Sequence, residues 1–403
     1  VPNLIKEFES YVKELSLSKK EPEWLLKQRL KALNLFKNLP NETSPVFQKY
    51  KDWSNVKIDK INLLHDDLNP IANFNEISLK FKEKGAIIDT IFNSLSRYDV
   101  IKDVLENTIE KFDDKFACLT QALFNFGYFV YVPKDVKIEE PLLLSSNIEK
   151  DIFIQGIVIL DENAKLTIVQ KDLGKKDAFH SENTFVALKE GSSLNFISIQ
   201  FLSKYSQSIT NRIAVCDKDS KVLWAIGLLG SLLTKSKVIT LLNGDGSEAK
   251  DLEFIFGNLE QKFDILSKVI HFGSQTNGLV LARSALKDKA SSLLKGLIRV
   301  EREAINSKSY LDEHGIILGR EARAYALPSL EIETNEVKAT HSSSISQIED
   351  DLIFYLMSRG ISEDDAKKLV VLGFLQPILS KIPVKDVRLK VKEMFDAKWK
   401  GLE

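Results

Sequence analysis

"ENAKLTIVQKDLGKKDAFHSENTFVALKEGSSLNFI", Glu162 to Ile197, opens and closes on the same short phrase, a turn-forming residue followed by an alternating strand. The phrase returns twice more, as "KDSKVLWA" (Lys218 to Ala225) and "DGSEAKDL" (Asp245 to Leu252). Asn163, Gly191, Asp219 and Gly246 hold equivalent places, separated by 28, 28 and 27 residues. Asn, Asp and Gly tolerate positive φ, and three positions further on stand Leu166, Leu194, Val222 and Ala249, apolar side chains that the alternation turns inward. "HFGSQTNGLV" continues the series with Gly273, again 27 residues on.

A fixed period of about 20 to 50 residues marks a solenoid, in which each unit buries its face only against its neighbours. The strand-like runs "YFVYV", "IFIQGIVIL", "KLTIVQ", "SLNFISIQF", "KVLWAIG" and "KVITLL" have no helices between them, which predicts a β-solenoid. A β-sandwich also uses short strands, but it has no reason to hold them to a constant phase.

Helical periodicity flanks this region. "EPEWLLKQRLKALNLFKNL" places Trp24, Leu25, Leu30, Leu33 and Phe36 largely on one face, and Pro40 closes that helix. A polar stretch, "PNETSPVFQKYKDWSN", follows, and "AIIDTIFNSLSRYDVIKDVLENTIEKF" (Ala86 to Phe112) reads as more helix with a break near Ser94 to Arg97. After about Ser344, Ile345, Ile348, Leu352, Tyr355 and Leu356 form a stripe, and Gly360 has the position of a C-terminal cap. Ser362 with Asp365 then resembles a capping box. The expectation is a mainly β chain: a helical region over 1–127, a β-solenoid over 128–343, and a helical region over 344–403 that closes the solenoid end and shields its open edge.

Composition narrows the function. With 56 basic and 57 acidic side chains mixed along the 403 residues, no broad positive field exists to hold nucleic acid. No run approaches the roughly 18 apolar residues of a membrane span, and "VPNLIKEFESYVKELSLSKKEPEW" lacks the apolar core of a secretory signal, so a cytoplasmic protein is expected. Cys118 and Cys216 lie 98 positions apart with no zinc-like spacing, which predicts buried, inert thiols.

Most apparent motifs have a plain structural reading. "GDGSEA" (Gly244 to Ala249) matches a loose dinucleotide pattern, but it is in phase with the repeat and leads into a strand, where a dinucleotide fold needs a helix. No G-x-x-x-x-G-K-[ST] occurs, so the chain is expected to bind no nucleotide. Asp217 and Asp219 suit a catalytic pair of a carbohydrate-active solenoid less well than turn residues that cap their own backbone. His341 lies where strand-like alternation gives way to helical spacing, near Glu333, Glu336 and Lys338, and an imidazole there is either structural or a ligand for a borderline metal. His65, His180, His271 and His314 carry no stronger signal.

The C-terminal segment "PSLEIETNEVKATHSSSISQIEDDLIFYLMSRGISEDDAKKLVVLGFL" closely resembles the signature of the SufB/SufD family, scaffold subunits of the SUF iron-sulfur cluster assembly system. "EPEWLLKQRLKAL", "FVYVPKDVKIEEPLLL" (Phe129 to Leu144), "GLIRVEREAINS" (Gly296 to Ser307) and "HGIILG" also look like family segments. The resemblance implies a right-handed parallel β-helix between helical regions, pairing with a SufB-like paralogue through the β-helix ends, and docking of the SufC ATPase on the C-terminal helices. It makes His341 a candidate ligand for a transient iron-sulfur cluster or iron at the subunit interface, with Glu313 a candidate oxygen ligand. The helix opening at Ser362, Glu363, Asp364, Lys367 and Lys368 becomes the candidate SufC contact. Ala339 stands where many SufD sequences have cysteine, the SufB-type cysteine falls near Glu313, and Ser342 replaces the glutamate that follows the SufB histidine. These departures resemble a non-catalytic SufD-type scaffold more than the primary sulfur acceptor. A homodimeric SufB-like scaffold and a carbohydrate-active solenoid enzyme are the alternatives.

Overall fold

The computed structural model describes residues 2–40, 56–59, 61–62, 69–112 and 114–401. The polar stretch after Pro40 (41–55) and His65 lie outside the described residues. The chain opens with α1 (Pro2–Ser18), α2 (Glu23–Asn38), α3 (Phe74–Glu83), β1 (Ile87–Thr90), α4 (Ile91–Ser94), α5 (Asp99–Asn107) and α6 (Lys115–Leu123). The strands follow: β2 (Phe126–Val132), β3 (Leu142–Asn147), β4 (Ile152–Leu160), β5 (Lys165–Leu173), β6 (Phe179–Leu188), β7 (Ser193–Phe201), β8 (Gln207–Cys216) and β9 (Lys221–Leu228). They continue as β10 (Leu233–Leu242), β11 (Glu248–Gly257), β12 (Lys262–His271), β13 (Asn277–Leu286), β14 (Ser291–Val300), β15 (Ser307–Ile317), β16 (Arg323–Ile332) and β17 (Val337–Gln347). Then come α7 (Asp350–Ser358), α8 (Glu363–Leu379) and α9 (Lys385–Trp399).

From β2 onward the even strands form one parallel sheet and the odd strands another, so the chain winds a β-solenoid of about 8 turns. The turn residues of the repeat make this winding possible. Asn163, Gly191, Asp219 and Gly246 have φ of 57°, 68°, 54° and 70°, and Asn163 Nδ2 donates to Asp135 Oδ1 one coil earlier at 2.8 Å. Leu166, Leu194, Val222 and Ala249 stack in register inside the lumen. Complete burial of each larger aliphatic contributes roughly 1.5–3 kcal/mol, which favours keeping the phase.

Gly273 departs from the predicted series. The pitch lengthens in that coil, Glu248 pairing with Asn277, and Gln275 takes the left-handed place with φ 56°. Gly273 stacks instead on Gly244, where an added Cβ would lie 2.5 Å from the Gly244 carbonyl carbon.

Two elements at the flanks also differ from expectation. Ile87–Thr90 is not helical but pairs antiparallel with β2, Ile88 opposite Val130, because its apolar side chains close the first coil. Ile345 belongs to β17, and the helix starts only at Asp350. His341 is therefore a mid-strand residue rather than the seam between strand and helix. The break near Ser94 to Arg97, the Gly360 cap with φ 87° and the Ser362 cap are as predicted.

Helices cover both outer faces. α6 packs on outward Phe153, Ile157, Phe185, Ile209 and Ile213 of the even sheet, and α1 and α2 cover α6. Within this layer Arg29 is fully buried, paired with Glu21 at 2.7 Å and stacked 3.7 Å from the Phe124 centroid. On the odd sheet, outward Ile197, Leu252, Phe254 and Phe256 meet α8 and α9, with the Phe256 ring 4.5 Å from Phe395 and 5.5 Å from Trp399. The C-terminal helices thus lie along a sheet face and do not close the solenoid end. In "LEFIFG" the run Leu252, Phe254 and Phe256 on the outward face is the sequence signal for a covered sheet. Among the described residues no helix is long and apolar enough to cross a membrane.

Candidate functional site: the open end of the solenoid

β15, β16 and β17 make the last coil and its neighbour. Among the described residues β16 pairs only with β14 and β17 only with β15, so the outer edge of each remains free. Tyr325 (52% exposed), Ile332 (40%) and Ile345 (37%) belong to this rung. A free edge normally invites a further strand.

Register divides the rung into two rows. Leu311, fully buried in the lumen, pairs with His341, and Glu313 pairs with Ser343, so His341 and Ser343 take lumen-facing places on the last coil. His341 is exposed and Glu313 is buried, and the two lie one diagonal step apart on neighbouring strands. Glu313 Oε1 rests against Gly296 of β14, where a Cβ would come within 2.7 Å, and its Oε2 has no hydrogen-bond partner. Burial pushes the Glu313 carboxyl up to about 8, against a hydrogen bond from the Leu327 backbone, and the Asp312 charge adds to the rise. Near neutrality Glu313 is therefore a protonated acid whose Oε2 is free to meet a ligand. Ala339 shares the lumen-facing parity of His341, so an alkyl group stands where a thiol would face the same opening.

The outward row is a separate network. Asp312 Oδ1 accepts from His314 Nε2 at 2.6 Å, and the carboxylate also receives Ser342 and Arg283, while His314 Nδ1 meets the Ser344 hydroxyl. Burial opposes ionisation of Asp312, but the bonds from Ser342, Arg283 and His314 outweigh it and hold the carboxyl down at about 2. The sequence signal was "DEH", whose alternation sends Asp312 and His314 outward and Glu313 inward.

Other predicted residues fall elsewhere. Cys118 and Cys216 are both buried, with desolvation pushing each thiol up to about 12, and neither reaches the open end. Asp219 occupies a left-handed turn position, and Asp217 pairs with Lys189 at 3.2 Å in the same turn stack. "GDGSEA" is the turn between β10 and β11.

At the start of α8, Ser362 Oγ accepts from the Asp365 amide at 3.2 Å. Asp364 receives the Trp399 indole N–H at 2.8 Å, Lys368 pairs with Asp396 at 2.8 Å, and Glu363 pairs with Lys367 along the helix. Three of these five side chains cap α8 or tie it to α9. The large apolar side chains left exposed nearby are on α7, with Phe354 73% exposed beside Leu352, Tyr355 and Met357, and at Leu369 of α8.

A feature that periodicity did not reveal is the polar content of the lumen. Tyr128, Gln170, Asp172, His180, Glu182, Arg212, Asp251, Glu253 and Glu313 are all buried. The Asp251 and Glu253 carboxylates make no well-formed hydrogen bond, and the Ser267 hydroxyl lies near both. Desolvation raises the carboxyls of both.

The architecture and its open end agree with sequence comparison. The profile described as "SUF system FeS cluster assembly, SufBD core domain" matches residues 144–374, more than half of the chain. The chain belongs to the SufBD family. It is similar to the iron-sulfur cluster assembly protein SufD of Bacillus subtilis, with 27% identity covering 97% of this chain and 98% of that protein. It is also similar to SufB of the same organism, with 24% identity over 93% of this chain and 89% of the relative. A SufBD family protein of Staphylococcus haemolyticus shares 25% over 93% of this chain and 90% of that protein. This SufBD chain therefore belongs to iron-sulfur cluster assembly, and its two branches of relatives differ little in identity.

Proposed function

We propose that this chain is a SufD-type scaffold subunit that joins a SufB-type paralogue end to end. In this reading His341, supported by Glu313, holds iron or a nascent iron-sulfur cluster, the cargo of the assembly, at the joint. The observation that carries the reading is the open rung: two free strand edges surround a lumen mouth occupied by an exposed imidazole and a buried acid with an unused oxygen. A paralogue built on the same repeat would continue both sheets and desolvate His341, and an imidazole with a carboxyl that gives up its proton on binding suits iron. With no thiol at Ala339 or Glu313, the partner supplies the sulfur-accepting cysteine in this reading.

The SufC-type ATPase docks on the C-terminal helices. Ser362, Asp364 and Lys368 shape that surface from within, while Glu363, Lys367 and the exposed apolar side of α7 meet the partner. The chain itself is non-catalytic, binds no nucleotide and works in the cytoplasm. A homodimer, with two copies of this chain joined at the same free edges, is the second reading.

The test is size-exclusion chromatography with mass determination of the chain mixed with its cognate SufB-type and SufC-type proteins, followed by cluster reconstitution. The expected result is a complex holding one copy of this chain and one of the paralogue, and a His341→Ala complex that assembles but retains less cluster. A chain that ignores both proteins would sink the reading. So would a His341→Ala complex with wild-type cluster content, for the ligand role.

A further inference from the structure

We infer that the lumen also contains a divalent cation site formed by Asp172, His180 and Glu182, taking a first-row metal such as zinc or iron(II). It lies far from the open end: β6 and β16 are five strand spacings apart in the even sheet, roughly 24 Å. The inference is independent of the proposed role of His341.

Placement brings the donors together. Asp172 projects inward from β5, and His180 and Glu182, two residues apart on β6, project inward from the facing sheet. All three are buried, and one donor atom from each lies within 4.8 Å of the others. Donors on a single tetrahedral zinc stand about 3.4 Å apart given bonds near 2.0–2.1 Å, so the site needs a contraction of about 1 Å or less per side chain to close on an ion.

The unused atoms point to a ligand. His180 Nδ1 is held by the Ser208 hydroxyl at 3.0 Å, which leaves Nε2 facing Glu182 Oε2 at 3.9 Å, too far for a hydrogen bond. Nε2 is buried and has no hydrogen-bond partner. Ligating histidines are commonly oriented in this way through their second nitrogen. Glu182 Oε1 accepts from Tyr128 at 2.9 Å and Thr184 at 2.9 Å, which turns Oε2 toward the site.

Gln170 completes the pattern. Its Nε2 is placed against three carboxylate oxygens, at 3.2 and 3.0 Å from Asp172 and 2.6 Å from Glu182, although an amide nitrogen carries two hydrogens. Its Oε1 has no hydrogen-bond partner. Turning the amide over presents Oε1 to the centre as a fourth donor. Among the described residues, neither carboxylate forms an ion pair with Lys or Arg. The nearby Arg212 guanidinium donates instead to Thr210 at 2.9 Å and Ser198 at 3.0 Å. One imidazole with two carboxylates and an amide oxygen is a donor set for zinc, iron(II) or manganese(II), and cobalt(II) is a spectroscopic probe for it.

The experiment uses the full chain stripped with a chelator, then supplied with cobalt(II) either by dialysis of the folded protein or during refolding. Expected are one cobalt per chain by elemental analysis, visible d–d bands, and a melting temperature that rises with cobalt concentration. His341→Ala keeps all three. Asp172→Asn/Glu182→Gln loses them while retaining the wild-type circular dichroism, and His180→Gln serves in its place should that pair not fold. Absence of stoichiometric cobalt by both routes overturns the inference, as does unchanged binding in the folded variant.

Discussion

The two ends of the solenoid are built on opposite principles. At the first coil, β1 covers the edge of the even sheet, and the segment before α3 covers that of the odd sheet, Ile71 bridging to Ser146. Ile71, Phe74, Phe81 and Ile88 then plug the lumen. At the last coil, among the described residues, neither edge has a partner, and Tyr325, Ile332 and Ile345 are left exposed. Free edges are a hazard that folds normally suppress. Suppression at one end and exposure at the other is the contrast that supports the proposed joint.

The largest effect is expected at the plug. Phe74 is buried with its ring edge-on to Phe126, centroids 6.2 Å apart, so Phe74→Ala removes a core ring beneath the first coil. A loss of about 3–5 kcal/mol is expected from chemical denaturation. A loss below about 1 kcal/mol would mean the first coil needs no plug, and the contrast between the ends would fail.

The lumen between the ends should make the fold lose stability between acid and neutral pH. Burial raises the Asp251 carboxyl from 3.8 to about 7, so the folded chain holds a proton that the unfolded chain has released across that window. The associated stability is complete below pH 3.8 and is lost as pH rises through about 7. Asp251→Asn mimics the protonated acid and removes this dependence. Its stability relative to wild type should increase by at most about 4 kcal/mol between pH 4 and pH 8, at about 1.4 kcal/mol per unit. Parallel pH profiles for the two proteins would show that Asp251 titrates normally.

How much of this was legible depends on what each strand faces. β5, β7, β9 and β11 announced themselves because a left-handed turn residue precedes an inward aliphatic at every coil. β6, "FHSENTFVAL", and β8, "QSITNRIAVC", did not, because their polarity is inverted. His180, Glu182, Thr210 and Arg212 face inward while Phe185, Ile209 and Ile213 face the N-terminal helices, so alternation alone gave no reason to place charge inside. The last rung hid for a related reason. β17 has no outer neighbour to bury it, and Ile345, Ile348 and Leu352 happened to fall at helical spacing. His341 was selected through family resemblance, whereas the His180 cluster required the register of two sheets to assemble it.

The smallest effect on stability should come from the open rung, where the same kind of substitution acts on assembly instead. Ile332 ends β16 with 40% of its surface exposed and no strand beyond it. Ile332→Lys places on that edge the residue that natural sheets use to repel a further strand. In the isolated chain the change should fall within about 0.5 kcal/mol, the range for surface positions outside special features. In a mixture with the SufB-type paralogue it should weaken pairing at least tenfold by sedimentation, about 1.4 kcal/mol. Ile332→Lys would break the comparison by destabilising the isolated chain as much as Phe74→Ala, since the rung would then be a closed core of its own. Unaltered pairing would move the joint away from β16 and leave the exposed side of α7 as the surface to test next.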